Sequence, residues 1–318
     1  MRTPAFWYAP PGLRSFLLAP LGALYAAGTA RRLAAGPRVE AGVPVICVGN
    51  LTAGGTGKTP VVMHLAQLLR DAGRTPHIVS RGYGGTLKGP VAVDPKRHKA
   101  ADVGDEPLLL TGFAPVWVAE NRALGAKAAV AAGADILIFD DGFQNPGVRY
   151  DLSILVVDAA RGFGNGRIIP AGPLREPLGK GFGRADLAIL MGQGEVDIPG
   201  ELPVLRGELR PLPTGMPLQN APVLAFAGIG HPERFFATLE AAGAQILRRI
   251  ALGDHQPLTR PLMSRIETEA LARNALMVTT EKDAVRLPQD FRQKVVSVPV
   301  RLHLEDDTAL LTAIGALT

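Results

Sequence analysis

The sequence predicts an α/β fold carried on a mostly parallel sheet, and three observations predict it. Apolar runs such as Val45–Val48, Ile136–Phe139 and Ile154–Val157 show no polar alternation, as expected of strands buried on both faces. Stretches with helical spacing of large apolar residues lie between those runs. A glycine-rich turn joins the first run to the next helix, and parallel sheets bind ligands at such strand ends. At 318 residues the chain is long for one domain, so two units are expected.

Charge and cysteine content narrow the function classes. Cys47 is the single cysteine, which excludes an intrachain disulfide and a cysteine zinc cluster and suits a reducing compartment. The net charge is +5, and residues 1–39 hold Arg2, Arg14, Arg31, Arg32 and Arg38 with no acid. Those five arginines equal the whole excess, so the rest of the chain is formally neutral. A nucleic-acid binder spreads basic charge over its folded face, and no nucleic-acid partner is expected here.

The first element is an arm over residues 1–38. Ser15 to Ala30 are sixteen uncharged residues, a helix of roughly 24 Å against a hydrocarbon core of ~30 Å. Leu17, Leu18, Leu21, Leu24 and Tyr25 recur at helical spacing, Trp7 and Tyr8 precede them, and Arg31 and Arg32 close the run. That pattern predicts an amphipathic helix lying in a membrane interface.

The larger unit is expected over 39–215. After the Val45–Val48 strand comes Gly49-Asn50-Leu51-Thr52-Ala53-Gly54-Gly55-Thr56-Gly57-Lys58-Thr59, then a helix marked by Val61, Val62, Leu65, Leu68 and Leu69. Strand, glycine turn, Gly-Lys-Thr and helix is the P-loop arrangement, so the fold is P-loop NTPase-like. Backbone amides of residues 52–59 (Thr52, Ala53, Gly54, Gly55, Thr56, Gly57, Lys58, Thr59) are expected to cradle phosphates. Lys58 would reach the β/γ-phosphates and Thr59 would offer Mg²⁺ a hydroxyl. The strict pattern has glycine where Thr52 stands.

A second strand, Thr75–Ser80, runs into Arg81-Gly82-Tyr83-Gly84-Gly85. Gly104-Asp105-Glu106-Pro107 opens a helix, and its two carboxylates either complement the helix dipole or serve as a base and a metal ligand. Strand Pro115–Val118 and an alanine-rich helix over Asn121–Ala132 follow. Ile136-Leu137-Ile138-Phe139-Asp140-Asp141 is then a Walker B pattern, a buried strand delivering a carboxylate to its C-terminal edge for Mg²⁺. Either Asp140 or Asp141 fits the metal. Strand Asp151–Asp158 leads to Pro170-Ala171-Gly172-Pro173-Leu174-Arg175-Glu176, where prolines aim Arg175 at a phosphate or merely stiffen a surface loop. Strand Ala185–Met191 completes the unit.

Prolines and glycines between Leu202 and Gln219 mark the junction to a smaller α/β unit over 216–318. It holds strands Val223–Ala227, Gln245–Ile250 and Ala275–Thr279, the loop Gly253-Asp254-His255-Gln256, and Thr280-Glu281-Lys282-Asp283.

Taken in order, these motifs resemble the tetraacyldisaccharide 4′-kinases, the lipid A 4′-kinases. The resemblance runs nearly end to end and adds Gly228-Ile229-Gly230 and Asp254-His255 to the motifs above. It implies ATP and Mg²⁺ as cofactors and an acylated disaccharide lipid as substrate. It also implies attachment to the cytoplasmic face of a bacterial inner membrane. It further implies that Asp105 is the base, assisted by His255, and that Thr59, Glu106, Asp140, Asp141 and Gln144 surround Mg²⁺. Lys58 and Arg175 would complete the catalytic set. An alternative is a membrane-positioning ATPase, whose signature lysine would fall at Ala53. A GTPase switch would need its guanine-reading lysine one place before Lys282.

Overall fold

The computed structural model describes residues 3–35, 38–213, 218–253 and 256–317. Thirteen strands form two sheets among them. In chain order they are β1 Val45–Gly49, β2 Pro76–Ser80, β3 Val91–Ala92, β4 Val116–Val118, β5 Ile136–Asp140, β6 Leu152–Asp158, β7 Leu187–Met191, β8 Val204–Pro211, β9 Pro222–Ala227, β10 Gln245–Ala251, β11 Leu276–Thr280, β12 Val295–Val298 and β13 Val300–Leu304.

The larger sheet has the order β13-β8-β7-β6-β1-β5-β2-β4-β3. It is parallel except at its two margins, where β13 meets β8 and β3 meets β4 antiparallel. Every residue of β1, β5 and β6 is buried, as continuous apolar runs require. The smaller sheet, β10-β9-β11-β12, is parallel throughout. Helices α1 Leu13–Ala34, α2 Lys58–Asp71, α3 Ala100–Val103, α4 Asp105–Leu110 and α5 Arg122–Ala131 belong to the first half of the chain. Val61, Leu65 and Leu69 of α2 are fully buried against the larger sheet, the face that helical spacing marked.

Two segments differ from the sequence reading. The proline- and glycine-rich stretch read as a junction contains β8, whose alternate residues Leu205 and Gly207 are buried. Strand β13, read as part of the smaller unit, crosses back and pairs Val300 with Pro211 and Leu304 with Gly207. Leu302, Leu304 and Leu310 thereby join the core of the larger sheet. Antiparallel pairing at a margin needs no crossover helix, and nothing local announces it.

Helix α1 buries small and polar residues, Ser15, Gly22 and Thr29, and turns its large apolar ones outward. Leu17 and Leu24 are each 70% exposed, and Leu13, Phe16 and Leu21 lie with them in solvent. The apolar stripe exists as the periodicity predicts, but it does not face the core. No described helix is long and apolar enough to cross a membrane.

Candidate active site

Strand β1 lies between β5 and β6, and its register sets Val48 beside Asp140. The loop after β1 and the carboxylates after β5 are therefore neighbours at one sheet edge. Asn50, fully buried, braces the loop from inside: its Nδ2 donates to Thr52 O (2.8 Å) and Thr56 Oγ1 (3.1 Å). Gly57 caps α2 with φ of 93°, a left-handed conformation natural to glycine. Thr52 occupies the glycine position because the chain is extended there. It pairs antiparallel with Leu174, and Ala53 N–H donates to Pro173 O at 2.8 Å. A β-branched residue suits that local strand.

Lys58 is the first residue of α2, and its Nζ lies 3.5 Å from Asp141 Oδ1. Arg175 Nη1 donates to both Asp141 oxygens, at 2.9 and 3.0 Å. The proline-bounded loop thus turns Arg175 inward. Burial opposes the Asp141 charge more than any single neighbour favours it. Lys58, Arg175 and Arg122 together nevertheless hold its carboxyl well below the usual range. Asp141 itself has φ of 52°, in the left-handed region.

Asp140 is 2% exposed and sits in a contrasting environment. Its Oδ2 accepts from Ser80 Oγ at 3.0 Å, while Oδ1 has no hydrogen-bond partner. Burial, then Glu106 and Asp141, push its pKa up to about 6, against the pull of Lys58 and Arg122. Arg122, also buried, spends its donors on the Val79 and Asp140 carbonyls, at 2.7 and 2.9 Å, and so ties the ends of β2 and β5.

Across the cleft, Asp105 opens α4 and is 4% exposed. Its Oδ1 accepts from Glu106 N–H at 3.0 Å, and Arg286 Nε lies 3.8 Å from its Oδ2. Glu106 pairs with Lys282 at 3.0 Å. Both cations follow β11 of the smaller sheet. Arg286 is itself held by Asp283, by Gln256 O (3.0 Å) and by Gly228 O (3.4 Å).

The description of tetraacyldisaccharide-1-P 4′-kinases matches residues 14–317 of this sequence. The chain belongs to that family. A tetraacyldisaccharide 4′-kinase of Dinoroseobacter shibae is 57% identical, covering 100% of this chain and 98% of its own. One of Jannaschia sp. is 59% identical over 96% of each chain. The crystal structure of LpxK from Aquifex aeolicus in complex with ATP is 29% identical and superposes with a TM-score of 0.79. It covers 96% of this chain and 99% of that one.

As a tetraacyldisaccharide 4′-kinase, the chain brings Lys58, Asp140, Asp141, Gln144 and Arg175 together at one sheet edge. Asp105 and Glu106 face cations from the second sheet. His255, expected to assist Asp105, lies outside the described residues, as does Asp254. Gln144, placed near the metal by resemblance, has its amide engaged at both ends. Nε2 donates to Asn50 O and Glu176 Oε1, each at 2.9 Å, and Oε1 accepts from Arg175 at 3.2 Å. Glu106 likewise meets a lysine here. Sequence reasoning missed Arg122, Arg184 and Arg286, and gave Glu176 no role of its own. Arg184 pairs with the buried Glu176 at 2.7 and 2.8 Å, a bond that fixes the carboxylate holding Gln144. Nothing near Arg122 or Arg184 in sequence signals these roles.

The residues fit Mg²⁺ through the orphaned, buried oxygen of Asp140. Among the described residues no three His, Cys, Asp or Glu could hold a metal ion together. Mg²⁺ bound with a nucleotide takes one or two protein carboxylates and fills its octahedron with phosphate oxygens and water.

Proposed function

We propose that this chain transfers the γ-phosphoryl group of ATP to the 4′-hydroxyl of a tetraacyldisaccharide 1-phosphate, yielding the tetraacylated 1,4′-bisphosphate of lipid A synthesis. The observation that carries the reading is the single sheet edge at which the P-loop lysine, a carboxylate-anchored arginine and a buried carboxylate with one unpartnered oxygen converge. The new bond joins the 4′-oxygen to the γ-phosphorus, the bond from that phosphorus to the β–γ bridging oxygen breaks, and ADP leaves. Lys58 and Arg175 neutralise the oxygens of the transferring group, both already oriented by Asp141. Thr59 and Asp140 would hold Mg²⁺, with Asp141 beside them and Glu106 available to join if released from Lys282. The ion would supply neutralisation of the charge that develops on the phosphates. Gln144 orients Arg175. Asp105 accepts the proton of the sugar hydroxyl, with Arg286 fixing its carboxylate and His255 assisting.

The two sheets support a reading as two units, residues 39–213 with 300–317, and residues 218–299. The outward apolar face of α1, with Arg14 at one end and Arg31 and Arg32 at the other, suits the cytoplasmic surface of an inner membrane. ATP is available on that side.

Transfer of radiolabelled γ-phosphate from ATP to the disaccharide lipid in detergent tests the reading. Label is expected at the 4′-position and only with lipid present. Vigorous ATP hydrolysis indifferent to lipid would replace it with the positioning-ATPase alternative.

A further inference from the structure

We propose that Asn165 is a positioning residue that ties the N-terminal arm to the phosphoryl-transfer site. The arm then belongs to the catalytic frame as well as to the membrane surface. The inference rests on the kinase reading above and assigns a residue that reading does not use.

Asn165 lies in the loop after β6. Its two Nδ2 hydrogens are shared among three oxygens, Ala171 O (3.0 Å), Ser15 Oγ (3.1 Å) and Phe6 O (3.3 Å). Its Oδ1 accepts from Arg167 N–H at 3.1 Å, and its own N–H donates to Trp7 O at 2.7 Å. One side chain therefore binds the short helix before α1, α1 itself and two points of the loop. Around it the arm and loop are fitted closely. Trp7 Nε1 donates to Pro170 O at 3.0 Å. Arg161 lies over the Tyr8 ring at 4.6 Å and Arg167 over the Phe16 ring at 5.1 Å. At Gly22 an added Cβ would stand 2.9 Å from Ile168 O, so only glycine lets α1 approach the loop this far.

The same loop continues directly into the site. Pro173 O and Leu174 hold Ala53 and Thr52 of the P-loop, and Arg175 N–H donates to Leu51 O at 2.8 Å. Arg175 then places its guanidinium on Asp141. Displacing residues 165–173 would shift both the start of the P-loop and the arginine. Catalysis by alignment is sensitive to shifts of this kind. A loop that merely anchored the arm would not need to end on both.

The test uses the full chain and lipid in mixed micelles, where membrane attachment does not limit the rate. Wild type, Asn165→Ala, Arg175→Ala and the double variant are compared by phosphoryl transfer. Asn165→Ala is expected to lower kcat about tenfold with KM for ATP within about twofold. The double variant is expected to match Arg175→Ala within about twofold, because Asn165 acts through Arg175. Multiplying losses, or a kcat for Asn165→Ala within about twofold of wild type, would overturn the proposal. If Asn165→Ala does not fold, Ser15→Ala removes one acceptor only. A loss of about threefold is expected from it, again absent in the Arg175→Ala background. No loss from Ser15→Ala would also overturn the coupling. A wild-type chain that transfers nothing to lipid would overturn the kinase reading and this inference together. An active wild type with an unaffected variant overturns this inference alone.

Discussion

The P-loop side of the cleft and the side facing Lys282 and Arg286 both set carboxylates against cations, but they assemble them differently. Asp141 follows β5 and Lys58 opens the helix after the neighbouring β1, while Arg175 reaches Asp141 from the loop after β6, held by its N–H to Leu51 O. Glu106 and Lys282 come from different sheets, separated by 176 residues. The first arrangement is fixed once the larger sheet forms. The second depends on how the smaller sheet sits over it. Preorganised charge belongs with phosphate binding, and adjustable charge with admitting and positioning the acceptor.

The comparison is open to attack by mutation. Removing a cation from the fixed side should have the largest effect. Lys58→Ala is expected to lower kcat by about a thousandfold or more, and Arg175→Ala by about a hundredfold with the fold intact. Near-normal turnover by Arg175→Ala in a transfer assay would return that residue to a structural role. On the other side, Asp105→Asn should lower kcat by about a hundredfold while leaving KM for ATP nearly unchanged. If ATP binding weakens instead, Asp105 belongs with the phosphate side and the comparison fails.

A smaller effect separates the two states of Glu106. Lys282→Met frees that carboxylate, so the Mg²⁺ concentration for half-maximal turnover should fall about threefold. A rise would show that Lys282 itself contacts the phosphates.

The smallest effect concerns Cys47, behind the P-loop. Burial raises its thiol well above the ordinary value of 9.0. The native thiol should therefore resist alkylation at pH 8 and react only on unfolding. The unfolded chain ionises first as pH rises, so the thiol's contribution to stability should fall above pH 9. Cys47→Val should flatten that slope in melting curves. Rapid alkylation of the native protein would mean that β1 is open to solvent.

Much of the larger unit was legible because its signals are local. The P-loop is contiguous, and β5 ends in its two aspartates. The division of labour between those aspartates was not legible. Adjacent residues with the same side chain acquire opposite pKa shifts because burial at Asp141 is outweighed by Lys58 and Arg175 together, while at Asp140 burial and the charges of Glu106 and Asp141 prevail. Gln144 was expected near a metal only through the family resemblance, and its commitment to Asn50, Glu176 and Arg175 was not legible.

By itself, the sequence determined the parallel α/β core, the nucleotide-type loop, the carboxylates at the strand end and an arm with an apolar helical stripe. Each is written in consecutive residues, since a strand buried on both faces must be apolar throughout and a glycine loop must be continuous. Only the tertiary structure decided that β13 returns to the first sheet and that α1 buries Ser15 and Gly22 while exposing its leucines. It also decided that Arg286 and Lys282 meet Asp105 and Glu106. Those outcomes join residues far apart in the chain, and periodicity marks which face is apolar without saying what that face will meet.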